Sequence, residues 1–407
     1  MRLTLSLFAL AAALIAQPLP LSTPEKEGFS SDRLARLHER FDDMVKDGKR
    51  GGAVTLIARN GRIVDWRPYG YRDIAARLPM EKDTICRIWS MSKVVTSVAA
   101  MMLVEEGKLS LSDPVYKYIP EFKTLQVLTG GTADKPEVTD VVRPITVKHL
   151  LTHTSGLTYT WGNDPVSELN RRNQIFNVDS LKEFAAKVAK IPLTAQPGDK
   201  YNYGVNTDVL GYVVEVASGI PFDKFVQTRI LSPLKMVDTS FELSEEKQKR
   251  LAKTYTLKEG KLTEASNQDL NSRASVPFGG MGLFSTIGDY ARFGQMLLNG
   301  GQLDGVRLLG RKTVELMTSN HISQLKVPHV DASGAYAFGL GGSVRLDVGK
   351  ASIPGSPGQF GWDGAASTYF RIDPKERTVS LLFQQYMPFD TPSLELFSTL
   401  FYQAIVD

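Results

Sequence analysis

Ser90 and Lys93 lie three residues apart, in Ser90-Met91-Ser92-Lys93, where a mixed segment runs into an apolar one. A serine at a helix start is often only an N-cap, and a bare S-x-x-K spacing is common by chance. On a helix, however, residues three apart share a face, so the Lys93 amine would stand beside the Ser90 hydroxyl. The positive end of a helix stabilises negative charge, and apolar surroundings disfavour an ammonium. Both conditions favour a serine activated by a neutral lysine, a nucleophile that needs no histidine.

Other signatures of chemistry fail on their spacing. His149 and His153 are four apart like a zinc pair, but the glutamate of H-E-x-x-H is missing between them. His153 reads instead as a buried polar residue of its turn. The five histidines form no metal pattern with acidic residues, so no metal or cofactor is called for. There is no G-x-S-x-G elbow. The run Gly279-Gly280-Met281-Gly282 lacks the Lys-Ser/Thr of a phosphate loop and reads as a tight turn entering 283–285. With Cys86 as its one cysteine the chain can form no intramolecular disulfide and no Cys-based metal cluster.

The elements that would position Ser90 follow from periodicity. Residues 93–104 are apolar all round, which predicts a buried helix ending near Gly107. Residues 31–45 carry Leu34, Leu37 and Phe41 at helical spacing. Asn60-Gly61 between the strand-like runs 53–58 and 62–66 predicts a hairpin, because both residues tolerate positive φ. The middle of the chain, 111–275, reads as helical and loop-rich, with helices at 147–152 capped by Thr146, from Ser180 through Val188, and at 205–217. Strand patterns return at 337–346, 367–372 and 378–384, and Thr391-Pro392 opens a last helix. Strands at both ends around a helical middle imply one sheet assembled from chain-distant pieces.

Composition bounds the rest. The chain has 407 residues, 42% hydrophobic and 23% charged, with a net charge of +4. That is globular composition, and the small charge excess with no basic cluster argues against a nucleic-acid partner. Met1-Arg2 precedes an apolar run, 3–16, too short for the roughly 20 residues of a membrane span. It reads as a secretory signal peptide over 1–16, implying export to the periplasm or exterior. An uncleaved anchor is the competing reading.

Several motifs in order resemble those of the serine β-lactamase and penicillin-binding-protein superfamily, closest to class C β-lactamases and their family VIII-type carboxylesterase relatives. They are Asp83-Thr84-Ile85-Cys86-Arg87-Ile88-Trp89 leading into Ser90-Met91-Ser92-Lys93, then Leu103-Val104-Glu105-Glu106-Gly107-Lys108-Leu109. Leu150-Leu151-Thr152-His153-Thr154-Ser155-Gly156-Leu157 and Gly280-Met281-Gly282-Leu283 complete the match, which runs over nearly the whole mature chain.

The resemblance implies an α/β (α+β) fold of the β-lactamase/transpeptidase type: an antiparallel sheet with flanking helices plus a mainly helical lobe. On that reading residues 17–407 form a single catalytic domain, with the α/β lobe at about 25–110 and 276–407 and the helical lobe at about 111–275. It makes Ser90 the nucleophile and Lys93 with Tyr203, in Pro197-Gly198-Asp199-Lys200-Tyr201-Asn202-Tyr203, its base; Tyr201 is a rival. Val205 stands where relatives carry an asparagine, although Asn206 follows. The third motif is Gly361-Trp362-Asp363-Gly364-Ala365, with Trp362 in place of the β-lactamase cation. It implies an oxyanion hole from the Ser90 and Ala365 N–H groups and a substrate surface from Trp362, Asp363 and Gly364. Gly364, lacking a Cβ, would admit substrate to the strand edge. Asp363, if it faced the cleft, would repel the carboxylate of a β-lactam. The expectation is therefore a secreted serine hydrolase of neutral esters or amides. A β-lactamase or D-amino-acid-specific peptidase acting on cell-wall peptide, and a non-catalytic cell-wall-binding homologue, are the alternatives; the sequence leaves the oligomeric state open.

Overall fold

The structure, a computed structural model, describes residues 18–265 and 276–407. The signal-peptide expectation for 1–16 lies outside the described residues. No described helix is long and apolar enough to cross a membrane.

An eight-stranded antiparallel sheet is built from both ends of the chain. Its order is Tyr336–Phe338, Ser343–Arg345, Phe360–Gly361, Tyr369–Asp373, Thr378–Gln384, Gly52–Arg59, Arg62–Asp73 and Leu78–Pro79. The Asn60-Gly61 hairpin is present, with φ of 54° and 78° at the two turn residues. The strand Gly52–Arg59 pairs on its other edge with Thr378–Gln384, from Ala53 opposite Gln384 to Arg59 opposite Thr378. This pairing joins residues more than 300 positions apart.

Both faces of the sheet are covered, which is why its central strands read as unbroken apolar runs rather than alternating ones. Ala53 and Ile57 face Leu34, Leu37 and Phe41 of the helix Ser31–Lys46 and Phe397 and Phe401 of Thr391–Tyr402. Val54, Leu56 and Ala58 face the other way, into the larger core with the helices Ile287–Leu298 and Ser92–Glu105. Gly294 lets the former lie close on the sheet, since a Cβ there would be 2.8 Å from the Phe370 ring.

The helix Ser92–Glu105 is buried from Ser92 through Leu103, as its apolar girth predicts. The Thr146 cap is a capping box on Val147–Leu151, Ser180 caps Leu181–Val188, and Asn206–Ser218 ends at Gly219 with φ 71°.

Two expectations are corrected. The single strand at 337–346 is two short strands, Tyr336–Phe338 and Ser343–Arg345, folded on each other. The reason is Gly341, φ 96°, whose absent Cβ would lie 2.0 Å from the Ser97 hydroxyl; the chain must turn where it meets the buried helix. The middle of the chain also holds two hairpins that the helical reading lacked, Gln126–Gly131 with Pro136–Asp140 and Tyr255–Lys258 with Lys261–Glu264.

Candidate active site

The short strand Cys86–Arg87 turns into a 3-10 turn at Trp89–Met91 and then into the helix that begins at Ser92. The turn is sharp because Trp89 adopts φ 46°, a left-handed conformation that costs a non-glycine residue on the order of 1–3 kcal/mol. Burial of the Trp89 ring, with the Arg87 guanidinium 4.0 Å over it, holds that conformation. The segment around Leu283 grips both sides of the turn: the Leu283 carbonyl accepts from Ile88 N–H, and its own N–H donates to Ser92 Oγ. Ser90 is left half-buried at the bend. Cys86 is buried in the strand before it, and burial pushes its thiol up, away from reactivity.

Lys93 is fully buried. An unpaired ammonium there would cost several kcal/mol, so its partners matter. Its Nζ has three: Ser90 Oγ at 3.1 Å, the Tyr159 hydroxyl oxygen at 2.9 Å and the Gly280 carbonyl at 2.8 Å. A neutral amine has two N–H groups and one lone pair. If the two N–H groups point to Tyr159 and Gly280, the lone pair faces the Ser90 hydroxyl.

Tyr159 was not singled out by the sequence. It lies two residues beyond the Leu150–Leu157 block that carries the resemblance, and nothing local marks it. Burial first, then the Asp208 charge and the neighbouring phenols, push its hydroxyl well above the ordinary tyrosine range. It is therefore a protonated phenol. Asn170 pins its backbone by donating to the carbonyls of Thr158 and Tyr159, and Trp161 stacks on its ring at 4.0 Å. In sequence Gly280 belongs to a turn and to one of the motifs shared with the family, with nothing to tie it to Lys93. The turn is there, entering the strand Phe284–Ser285, but its carbonyl also faces the lysine.

Tyr203 comes to the same place from another direction. Lys93 Nζ lies 4.8 Å from the centroid of its ring, while the phenol that hydrogen-bonds Nζ is Tyr159. The Tyr203 hydroxyl accepts from the Trp362 indole N–H at 3.1 Å. His153 supports it from beneath, 4.7 Å between rings. This histidine is buried, as expected, and its Nδ1 accepts from Gly204 N–H and Asn206 Nδ2. Burial, with the Lys93 charge, holds it well below the usual histidine range, so it is neutral. Tyr201 packs on His153 and Phe338, away from Lys93's hydrogen bonds. The Asn206 amide is engaged by Ser155 and His153, so it does not replace the asparagine missing at Val205.

The third motif needs one correction, at Asp363, and gains a structural reason for Gly364. Asp363 is not a bare charge facing substrate: it is clamped bidentately by Arg371, at 2.6 and 2.8 Å, and the two charges cancel locally. Gly364 is required by the protein's own backbone, since a Cβ there would be 2.5 Å from the Ile88 carbonyl. That approach sets the 364–368 turn beside the segment entering Ser90. Within the turn Gly364 N–H bonds the Thr368 carbonyl and Ser367 N–H bonds the Gly364 carbonyl, with Ala365 between them. Trp362 is half-buried, its ring 5.4 Å from Tyr203 and 5.1 Å from Phe338.

Among the described residues no group of His, Cys, Asp and Glu side chains is arranged to hold a metal ion. What the arrangement offers is a half-buried hydroxyl beside a buried amine, with two tyrosines and an indole around them.

Known proteins share this frame. The beta-lactamase family model matches residues 37–397. Protein Rv1367c of Mycobacterium tuberculosis is 35% identical over 354 residues, covering 84% of this chain and 87% of that one. The acyltransferase mokF of Monascus pilosus is 31% identical, over 82% of this chain and 87% of its own. Among solved structures, simvastatin synthase (LovD) from Aspergillus terreus superposes with a TM-score of 0.81 at 27% identity, covering 92% of this chain and 98% of that one. EstCE1, described as a hydrolase with promiscuous acyltransferase activity, superposes with a TM-score of 0.79 at 25% identity, covering 91% and 99%. With nearly all of its length matched in sequence and in fold, the chain belongs to the beta-lactamase family.

Proposed function

We propose that the protein is an exported serine hydrolase that cleaves neutral carboxylic esters through an acyl-enzyme on Ser90. The observation that carries this reading is the buried Lys93 amine, 3.1 Å from Ser90 Oγ with its other two contacts taken by acceptors. In the proposed reaction Ser90 Oγ attacks the ester carbonyl while its proton passes to Lys93 Nζ. The Ser90 and Ala365 N–H groups receive the developing oxyanion, a contribution of roughly 3–4 kcal/mol per donor in comparable enzymes. The C–O bond then breaks, and the departing alkoxide takes a proton from Tyr203, whose oxygen already accepts from the Trp362 indole. The proton that Lys93 took from Ser90 then restores the Tyr203 phenol, which leaves both groups as they began. Water, activated the same way, releases the acid.

Two observations favour neutral esters over β-lactams. Trp362 occupies the position of the cation that holds a β-lactam carboxylate in the family, and Arg371, the cation nearby, is occupied by Asp363. A carboxylate is thus neither repelled, as the bare Asp363 would have done, nor attracted. Transfer of the acyl group to an alcohol is the second reading, favoured because mokF, matched over most of the chain, is named an acyltransferase and EstCE1 a hydrolase with promiscuous acyltransferase activity. Export rests on the apolar run at 3–16, and N-terminal sequencing of the mature protein tests it.

The central test is turnover of p-nitrophenyl esters, with nitrocefin and a D-Ala-D-Ala peptide in parallel. Wild-type protein should hydrolyse the esters and gain the mass of one acyl group, and Ser90→Ala should do neither. Ester turnover by Ser90→Ala near the wild-type rate would sink the assignment; preference for nitrocefin would move it to the β-lactamase reading.

A further inference from the structure

Behind Lys93 lies a second ionisable group that the proposed chemistry does not use. Asp208 sits in the first turn of the helix Asn206–Ser218 and is fully buried. Its Oδ1 accepts from Gly280 N–H at 2.8 Å, while Oδ2 has no hydrogen-bond partner among the described residues. A buried carboxylate oxygen without a partner is costly, and apolar packing alone would not retain it. The residue it grips is the one whose carbonyl accepts from Lys93 Nζ.

The Gly279–Gly280 turn is held from both sides. Thr96, one turn beyond Lys93, donates to the Gly279 carbonyl at 2.7 Å, and Asp208 holds Gly280. Neither glycine could carry a side chain: a Cβ at Gly280 would be 2.5 Å from Asp208 Oδ2, and one at Gly279 would be 2.5 Å from the Thr207 carbonyl. The turn is therefore wedged between the two helices that carry Lys93 and Asp208.

We infer that Asp208 is a positioning residue for Lys93: it fixes the Gly280 carbonyl on Nζ and supplies the negative charge that balances the ammonium formed when Ser90 gives up its proton. The inference rests on the reading of Lys93 as the base. When Ser90 Oγ bonds to the acyl carbon, its proton moves to Nζ, and a new positive charge appears in a site closed to water. A fixed carboxylate is then an electrostatic partner that needs no reorganisation. Burial pushes Asp208 up to about 6, while a charged Lys93 and the Gly280 N–H pull the other way, so the ammonium that forms when Ser90 gives up its proton is what favours the carboxylate beside it. The titratable groups that feel these charges are Tyr159, through Asp208, and His153, through Lys93, with Tyr203 against the Lys93 amine.

The test is Asp208→Asn, which keeps an acceptor for Gly280 N–H and removes the charge, beside Thr96→Val, which loosens the same turn without touching charge. For Asp208→Asn the ester kcat/KM should fall about tenfold or more, and the acid limb of its pH profile should move to lower pH by about one unit, because the ammonium has lost its counter-charge. Thr96→Val should lower kcat without moving the limb. An unshifted limb in Asp208→Asn, or the same shift in Thr96→Val, overturns the inference. A readout independent of activity and of that variant's folding is the 13C resonance of Lys93 in ε-labelled wild-type protein, assigned by its loss in Lys93→Met. It should show an inflection at about pH 6 as Asp208 ionises; a resonance flat through that range overturns the inference even if ester turnover itself is absent.

Discussion

The two sides of Ser90 are built on opposite plans. On one side, Lys93, Tyr159, Gly280 and Asp208 form a dry polar cluster inside the core, each held by hydrogen bonds to the others or to adjacent backbone. On the other, half-buried Trp362 and Tyr203 form an aromatic surface backed by buried Phe338, with the ion pair Asp363–Arg371 cancelled behind it. The first side can move a proton but offers a substrate nothing to recognise. The second presents apolar area and a single phenol. On the proposed function proton handling and recognition are separated, and substitutions on the two sides should fail differently.

The largest effect should come from the proton side. Lys93→Met should lower ester kcat by about a thousandfold or more, since both the base and its hydrogen-bond geometry are lost. It should still fold, because methionine suits the apolar helix, with a thermal midpoint lowered by a few degrees as the Gly280 carbonyl and Tyr159 lose their donor. Activity within tenfold of wild type would merge the two sides.

Next, on the recognition side, Asp363→Ala would leave the half-buried Arg371 guanidinium without its counter-charge, held only by the Phe370 carbonyl and the Tyr369 ring, at a cost of about 2 kcal/mol in urea unfolding. The double variant with Arg371→Met should recover most of that loss. A single variant as stable as wild type would show that the pair is no support.

The tyrosines sharpen the division. Tyr203→Phe should lower kcat by about a hundredfold, losing the proton donor to the leaving group, and Tyr159→Phe by about tenfold, losing one acceptor on Lys93. The reverse order would assign the proton transfer to Tyr159. Trp362→Phe, which keeps the aromatic contact with Phe338 and loses only the N–H to Tyr203, should cost a few-fold.

The smallest effect is on the pH dependence of stability, where two buried groups oppose each other. His153 is held well below 6.5, so the unfolded chain binds its proton first and stability falls as pH drops below that value. Asp208 is raised to about 6, so the folded chain binds its proton more tightly and regains stability between that pH and its unfolded value near 4. Removing Asp208 as Asp208→Asn should therefore steepen the loss of thermal midpoint below pH 6. Parallel curves for the two proteins would show that one of these groups does not titrate as described.

Much of the local structure was legible because its causes are local. The Asn60-Gly61 turn needs only two residues that accept positive φ, and the burial of Ser92–Glu105 needs only its own apolar girth. The Ser90–Lys93 contact follows from helical spacing. The failures have a common cause as well. The run 337–346 carries a strand pattern but turns at Gly341, because Ser97 of a distant helix occupies the space. Nothing in the sequence says which way Asp363 faces; it is paired because Arg371 returns eight residues later on the adjacent strand.

By itself, then, the chain's order of residues determined the Ser90–Lys93 spacing, the buried helix that follows Ser90 and the motifs shared with a family. Tertiary structure alone decided which groups surround the Lys93 amine. Tyr159, Gly280 and Asp208 lie 66, 187 and 115 positions from Lys93, and no periodicity reaches that far. They meet because two helices and a glycine turn pack without room for a side chain between them, and a buried amine must find its partners in whatever that packing delivers.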